Sequence, residues 1–176
     1  MKKQLLIIPF ILFLFILLAF FYLLIIDRNP SEIPSNLLNK NVPDFETESL
    51  LKNEKFVSSK EFGSEIVLVN FFATWCKPCR DEHVYIKLFS EEKGIRVIGI
   101  NYKDDAEKTI KWLKNLGNPY SNIPVDKKGT IAIEWGVYGI PETFIVSSKG
   151  IIKFRHVGPV TKKVYKKINF LIKDIE

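Results

Sequence analysis

Two cysteines, two histidines and one methionine are all that the 176 residues hold of those types. So few cysteines exclude a small fold stapled by several disulfides. No acidic residue precedes Asp27, and no charge of either sign lies between Leu5 and Ile26. Internal repeats and low-complexity tracts are missing as well. The formal net charge is only +6 and no basic run is present, which argues against a nucleic-acid-binding tract. What is plentiful is apolar residue, 47% of the chain, although 22 of the first 26 positions inflate that figure. The remaining 150 residues are roughly 41% apolar and suit one compact core, so bulk disorder and a polytopic membrane protein are both excluded. Those residues carry all 20 acidic and 24 of the 26 basic side chains, a formal charge of +4.

The uncharged run from Leu5 to Ile26 would make a helix of roughly 33 Å, enough to cross a bilayer core. Lys2 and Lys3 precede it, while Asp27 and Arg28 cancel on the far side. Positive flanks remain cytoplasmic, so residues 1–4 are expected inside, 5–26 as a transmembrane anchor, and the rest on the opposite side. A cleaved signal peptide competes with this reading. The run exceeds the ~7–15 residues of a signal core, however, and no small-x-small triplet follows it. Residues 27–41, with Pro30 and Pro34, read as a linker, and 42–176 as the folded domain.

Within that domain a hairpin region is expected around Glu46 to Ser58. Ile66–Ala73 is a nearly continuous apolar run, the mark of a strand buried on both faces. A helix from about Cys76 to Lys93 follows, then a second buried strand, Arg96–Tyr102. Asp104 and Glu107, an acceptor with a Glu three residues on, open a helix that ends near Gly117, because Asn118-Pro119 forbids continuation. A short strand at Ile123–Val125, a helical turn at Thr130–Trp135 and a hairpin of Thr143–Ser147 with Ile151–His156 come next. Val164, Ile168, Leu171, Ile172 and Ile175 recur at helical spacing, so 161–174 packs one face on the sheet. The fold class is α/β, a mixed sheet flanked by helices.

Both cysteines lie in Trp75-Cys76-Lys77-Pro78-Cys79, between a buried strand and a helix start. A disulfide across so short a loop constrains the unfolded chain little, so reactivity explains the pair better than stabilisation. At a helix N-terminus the free N–H groups and the dipole favour an anion, here the Cys76 thiolate, whose pKa should fall below the ordinary ~8.5. Cys76 is then the exposed nucleophile, with Lys77 adding positive charge. Cys79, one turn inward, resolves the mixed disulfide. Pro78 is tolerated because the first helical turn needs no N–H from it. Cys76, Cys79, His83 and His156 also make up the number of ligands a zinc site takes, and thiolates suit Cu(I), so a zinc or copper carrier is the alternative. His83 otherwise reads as a surface or supporting residue and His156 as a strand-end residue.

The WCxxC turn after a buried strand, with Ile140-Pro141-Glu142-Thr143 some sixty residues on, resembles the thioredoxin superfamily. Val42-Pro43-Asp44-Phe45, Ile100–Asp105, Gly117–Tyr120, Trp135–Thr143 and Arg155–Pro159 are similar, more narrowly, to the membrane-anchored thiol:disulfide interchange proteins of cytochrome c maturation, the DsbE/CcmG type. The resemblance covers nearly all of residues 40–174. It implies a thioredoxin-like fold, and a cis bond before Pro141 that holds the Ile140 backbone open to an extended substrate against the Cys76–Cys79 turn. It also implies that no cofactor is needed beyond a redox-active Cys76–Cys79 disulfide. The partners it implies are apocytochrome c or other cytochrome c maturation components, with electrons from a membrane donor of the DsbD/CcdA type. The location it implies is the inner membrane, single-pass, with the soluble domain in the periplasm.

Where thioredoxins carry a buried acid six residues before the first cysteine, this chain has Asn70. Glu82 and Glu142 are therefore the candidates to assist proton transfer at Cys79, each with a solvated surface charge as its alternative. Trp75 is expected beside the nucleophile, shaping substrate contact or covering the core edge. A peroxidase of the peroxiredoxin type is excluded: it needs Pro-x-x-x-Thr-x-x-Cys, whereas Thr74 stands two residues before Cys76 and Val69 is at a position that pattern constrains.

Overall fold

The computed structural model describes residues 2–25, 36–51 and 56–175. It divides into two units, Met1–Pro30 and Ser31–Glu176. The first contains helix α1, Lys2–Ile25. Its side chains are described from Ile8 to Leu23, nearly all apolar and exposed on every side. Among the described residues no helix is long and apolar enough to cross a membrane.

In the second unit β1 (Glu46–Glu48) and β2 (Phe56–Ser58) form the expected antiparallel hairpin, and a 3₁₀ turn at Ser59–Glu61 follows. The main elements are then β3 (Val67–Phe72), α2 (Lys77–Glu91), β4 (Arg96–Tyr102), α3 (Ala106–Leu116), β5 (Val125–Asp126), α4 (Thr130–Glu134), β6 (Glu142–Val146), β7 (Ile152–Val157) and α5 (Lys162–Ile175). The five-stranded sheet runs β5-β4-β3-β6-β7. β3, β4 and β5 are parallel, and β6 and β7 are antiparallel to their neighbours, so the sheet is mixed as expected. Of the linker assigned to 27–41, residues 27–35 lie outside the described residues. Residues 36–41 run along the domain, with Asn39 N–H donating to Ile152 O and Ile152 N–H to Lys40 O.

Strand alternation splits the core in two. Leu68 and Phe72 of β3 face α2, α3 and α5, through Ile86, Phe89, Trp112, Leu113, Ile168 and Ile172. Val67, Val69 and Phe71 face α4 and Trp135. β3 is buried at every position, which explains its nearly continuous apolar sequence and makes Asn70, in its middle, a residue that must find polar partners. Most boundaries move by a residue or two from expectation, and two of the shifts have a specific cause. The cap of α3 is Asp105, which accepts from Lys108 N–H, because Asp104 is engaged elsewhere. β5 falls at Val125–Asp126 because it pairs with Asn101 and Tyr102, and the Asp126 carboxylate then accepts from Ile131 and Ala132 N–H at the start of α4.

Candidate functional site: a disulfide at the mouth of a helix

β3 ends at Phe72, and the chain turns through Ala73, Thr74 and Trp75 into α2. Asp104 holds that turn from the end of β4: it accepts from the Thr74 backbone N–H and from the Thr74 hydroxyl, the latter at 2.9 Å. Cys76 is the N-cap of α2, its Sγ accepting from Cys79 N–H at 3.1 Å, with Pro78 in the first turn. Cys76 and Cys79 are joined as a disulfide. The backbone dipole of α2 therefore points its positive end at the Cys76 sulfur.

Cys76 is not exposed, contrary to the sequence-based expectation: it is 5% accessible and Cys79 2%. Both belong to the cluster of Phe72, Ala73 and Ile86, with Ile140 packed against it, because the turn tucks the sulfurs under the loop that precedes β6. Trp75, 60% accessible, is the exposed side chain of the motif, together with Lys77 and Pro78. Its indole N–H donates to Lys103 O, and its ring lies 6.4 Å from that of Tyr102, so Trp75 covers the edge of β4 while presenting a face outward.

Ile140 and Pro141, which the resemblance implies lie against the cysteine turn, are joined at the end of the loop that precedes β6. The bond between them is cis, and the Ile140 carbonyl oxygen lies 3.7 Å from Cys76 Sγ. Glu142, next in sequence, does not join them. Its Cα partner in β3 is Phe71, whereas Thr143 pairs with Asn70. Its side chain therefore points to the opposite face of the sheet from α2. There it is wholly buried, accepting from Arg155 Nε at 2.7 Å and from Tyr138 N–H at 2.9 Å. The surface-charge alternative is thus corrected for Glu142, and the ion pair with Arg155 accounts for its burial.

Glu82 does share a face with Cys79, three residues earlier on α2. It too is buried, at 1% accessibility, so the surface reading is corrected here as well. Asn70 Nδ2 donates to its Oε1 at 2.7 Å and Val160 N–H to its Oε2 at 2.8 Å. Burial pushes its pKa up to about 8, against the pull of those two donors. Asn70 also donates to Thr143 Oγ1 and accepts from Tyr120 Oη–H at 2.9 Å. The result is a closed polar chain, Tyr120–Asn70–Glu82–Val160, inside an apolar cluster. Sequence reasoning noted Asn70 only as a missing acid and did not single out Tyr120. The available signal was an amide in the middle of a strand buried throughout.

The four residues counted as a zinc set are not brought together. Among the described residues no group of three or more His, Cys, Asp or Glu side chains is placed to share a metal ion. His83 is buried rather than superficial, its Nε2 2.9 Å from Gly117 O and its ring 4.4 Å from that of Trp112. Burial lowers its pKa. His156 sits near the end of β7, as expected, with Nε2 3.2 Å from Pro159 O.

Residues 37–169 match the model of the family described as Redoxin. Among curated proteins, the thiol:disulfide interchange protein DsbE of Haemophilus influenzae is 44% identical over 170 residues, 94% of this chain and 92% of that protein. DsbE of Escherichia coli K12 is 43% identical over 169 residues, covering 94% and 91%. Among solved structures, a DsbF homologue from Corynebacterium diphtheriae superposes with a TM-score of 0.66 at 22% identity, over 85% of this chain and 94% of the other. A secreted thiol-disulfide isomerase from Corynebacterium glutamicum gives 0.65 at 22% identity, over 76% and 85%. These structural likenesses establish the thioredoxin-like α/β fold.

Proposed function

The chain belongs to the Redoxin family and, within it, to the DsbE thiol:disulfide interchange proteins, and on that premise we propose that Cys76 and Cys79 are its redox centre and reduce protein disulfides outside the cytoplasm. It is a thiol:disulfide oxidoreductase. The observation that carries the assignment of roles is the Cys76 sulfur at the N-cap of α2, accepting from Cys79 N–H. Once reduced, that sulfur is the one the helix favours as a thiolate.

The Cys76 thiolate attacks one sulfur of the substrate disulfide. A Cys76–substrate bond forms as the substrate's own S–S bond breaks, and the second substrate sulfur leaves as a thiolate. Cys79, deprotonated, then attacks Cys76 Sγ, which closes the Cys76–Cys79 disulfide and releases the first substrate sulfur. Two electrons pass to the substrate, and its two thiolates take up two protons. Glu82 exchanges the proton of Cys79: with its pKa pushed up to about 8, close to the ~8.5 of an ordinary thiol, its carboxylate, the minor form near neutral pH, takes the proton and passes it on. Trp75 and the Ile140–Pro141 segment border the sulfur and receive the substrate backbone. The oxidised centre is returned to the dithiol by a membrane dithiol donor of the DsbD/CcdA type.

The substrate we assign is apocytochrome c, or a cytochrome c maturation component that exchanges with it, following the role of the family the chain resembles. Residues 5–26 anchor the chain in the inner membrane, with the folded unit in the periplasm. The support is α1, helical over Lys2–Ile25 and apolar on every described side, which suits lipid and not water. Cys76→Ser is expected to abolish disulfide reduction, and Cys79→Ser to accumulate a mixed disulfide between Cys76 and the substrate. Recovery of no adduct from membranes expressing Cys79→Ser would overturn the division of roles.

A further inference from the structure

Helix α5 concentrates the charge of the folded unit. Its 14 residues hold five lysines and one aspartate. The other residues after position 26 hold 19 basic and 19 acidic side chains, so the +4 of that region is the charge of one helix. At 3.6 residues per turn, Lys162, Lys163, Lys166, Lys167, Phe170 and Lys173 fall within an arc of about 140°. All six are exposed, whereas Ile168 and Ile172 on the opposite side are buried in the core. Phe170, 69% accessible, lies inside that arc between Lys166 and Lys163, and Asp174 is the one acid on this side. Among the described residues, Lys162, Lys163, Lys166 and Lys173 form no ion pair. Lys167 stands over the Phe154 ring, 5.3 Å from its centre.

Helix stability does not explain this arrangement. Four of the five lysines occupy the first two turns, where the positive end of the helix dipole disfavours cations, and the first turn holds no acid. A protein-binding face does not explain it either, because such faces favour Arg, Tyr and Trp and avoid Lys, and this one has no arginine. An anionic lipid surface accounts for both of its parts. Ammonium groups on long flexible stems meet headgroup phosphates, each strengthening binding about fivefold. A single exposed Phe enters the boundary between headgroups and acyl chains. We propose that the outward face of α5 docks on the anionic phospholipid surface of the membrane. This reading of α5 rests on the anchor assigned above, which keeps a bilayer within reach, and adds which side of the folded unit meets it. The folded unit is thereby held in one orientation to the membrane in which the proposed electron donor lies.

The test is lysine footprinting of the full chain in nanodiscs of phosphatidylcholine alone or of phosphatidylcholine mixed with phosphatidylglycerol. Acetylation of each lysine is read by mass spectrometry. In the anionic discs the α5 lysines are expected to react about three- to fivefold more slowly than in the neutral ones, the scale of one lysine's attraction to such a surface. Lys128, beside α4 on the other face of the sheet, should react equally in both. Salt near 1 M, which shortens the Debye length to about 3 Å, should abolish the difference. Lys163→Glu combined with Lys166→Glu should reduce it at the remaining α5 lysines, and Phe170→Ser should reduce it with the charge intact. Equal acetylation of α5 in the two discs overturns the proposal, and so does a difference that survives the double charge reversal. Slowing shared by Lys128 overturns it too, because the effect would then not belong to one face. Protection of α5 in native membranes but not in anionic discs would give the face to an acidic protein and overturn the lipid assignment. A chain that neutral discs do not retain counts against the anchor instead, and anionic vesicles added to that chain would still decide α5.

Discussion

At the scale of single residues, the carboxyl of Glu82 governs the pH behaviour of the domain. Its pKa is raised in the folded state from an ordinary 4.5 to about 8, chiefly by burial. Between those values the folded protein holds a proton that the unfolded chain has released, so stability falls as pH rises through that window. Glu82→Gln removes this loss. The gap in stability between Glu82→Gln and the native chain should shift in favour of the variant by a few kcal/mol from about pH 5 to about pH 8. Denaturant titration at the two pH values measures the shift, and a pH-independent gap would refute it. Gly99 is the second such residue. A Cβ there would lie 2.6 Å from the Tyr120 ring, which stacks on Phe72 and donates to Asn70. Gly99→Ala should therefore cost about 1–3 kcal/mol by denaturant unfolding, the usual effect of overpacking. An unchanged midpoint would mean that the ring has room to move.

Among the elements, the junction of β3 and α2 depends on Asp104 as much as on its own residues. Asp104 accepts from the Thr74 backbone and side chain and from Thr109 Oγ1, tying the cysteine turn to α3. Asp104→Ala leaves these donors without their partner and should lower stability by about 1–3 kcal/mol. Slower alkylation of Cys76 should accompany that loss as the cap loosens; unaltered stability and alkylation would contradict the tether. Much of this architecture was readable in advance. A nearly continuous apolar run marked β3, a second mainly apolar stretch marked β4, the cysteine motif marked the start of α2, and turn residues marked the β6–β7 hairpin. The errors share one cause, a partner far along the chain. Asp104 looked like a helix cap because Thr74, thirty residues away, cannot be seen from local spacing. Glu142 read either as a proton-transfer candidate or as a solvated charge because Arg155 meets it only through strand pairing. Glu82 and His83 each kept a surface alternative because Val160 N–H and Gly117 O, which receive them, belong to other segments.

For the whole molecule, the proposed topology, with residues 5–26 as the anchor and the folded unit outside the cytoplasm, has a direct consequence. In cells stripped of their outer membrane, a membrane-impermeant thiol reagent should label reduced Cys76 without lysis. The chain should also remain with the membranes after an alkaline wash. Labelling only after lysis would place the domain on the other side. The central claim, that the helix favours charge on one sulfur, is tested most directly on the reduced Cys79→Ser chain, where Cys76 titrates alone. The measurement is the rate of iodoacetamide alkylation as a function of pH. The expected result is a midpoint clearly below the ~8.5 of an ordinary thiol. A midpoint at or above that value would contradict the account.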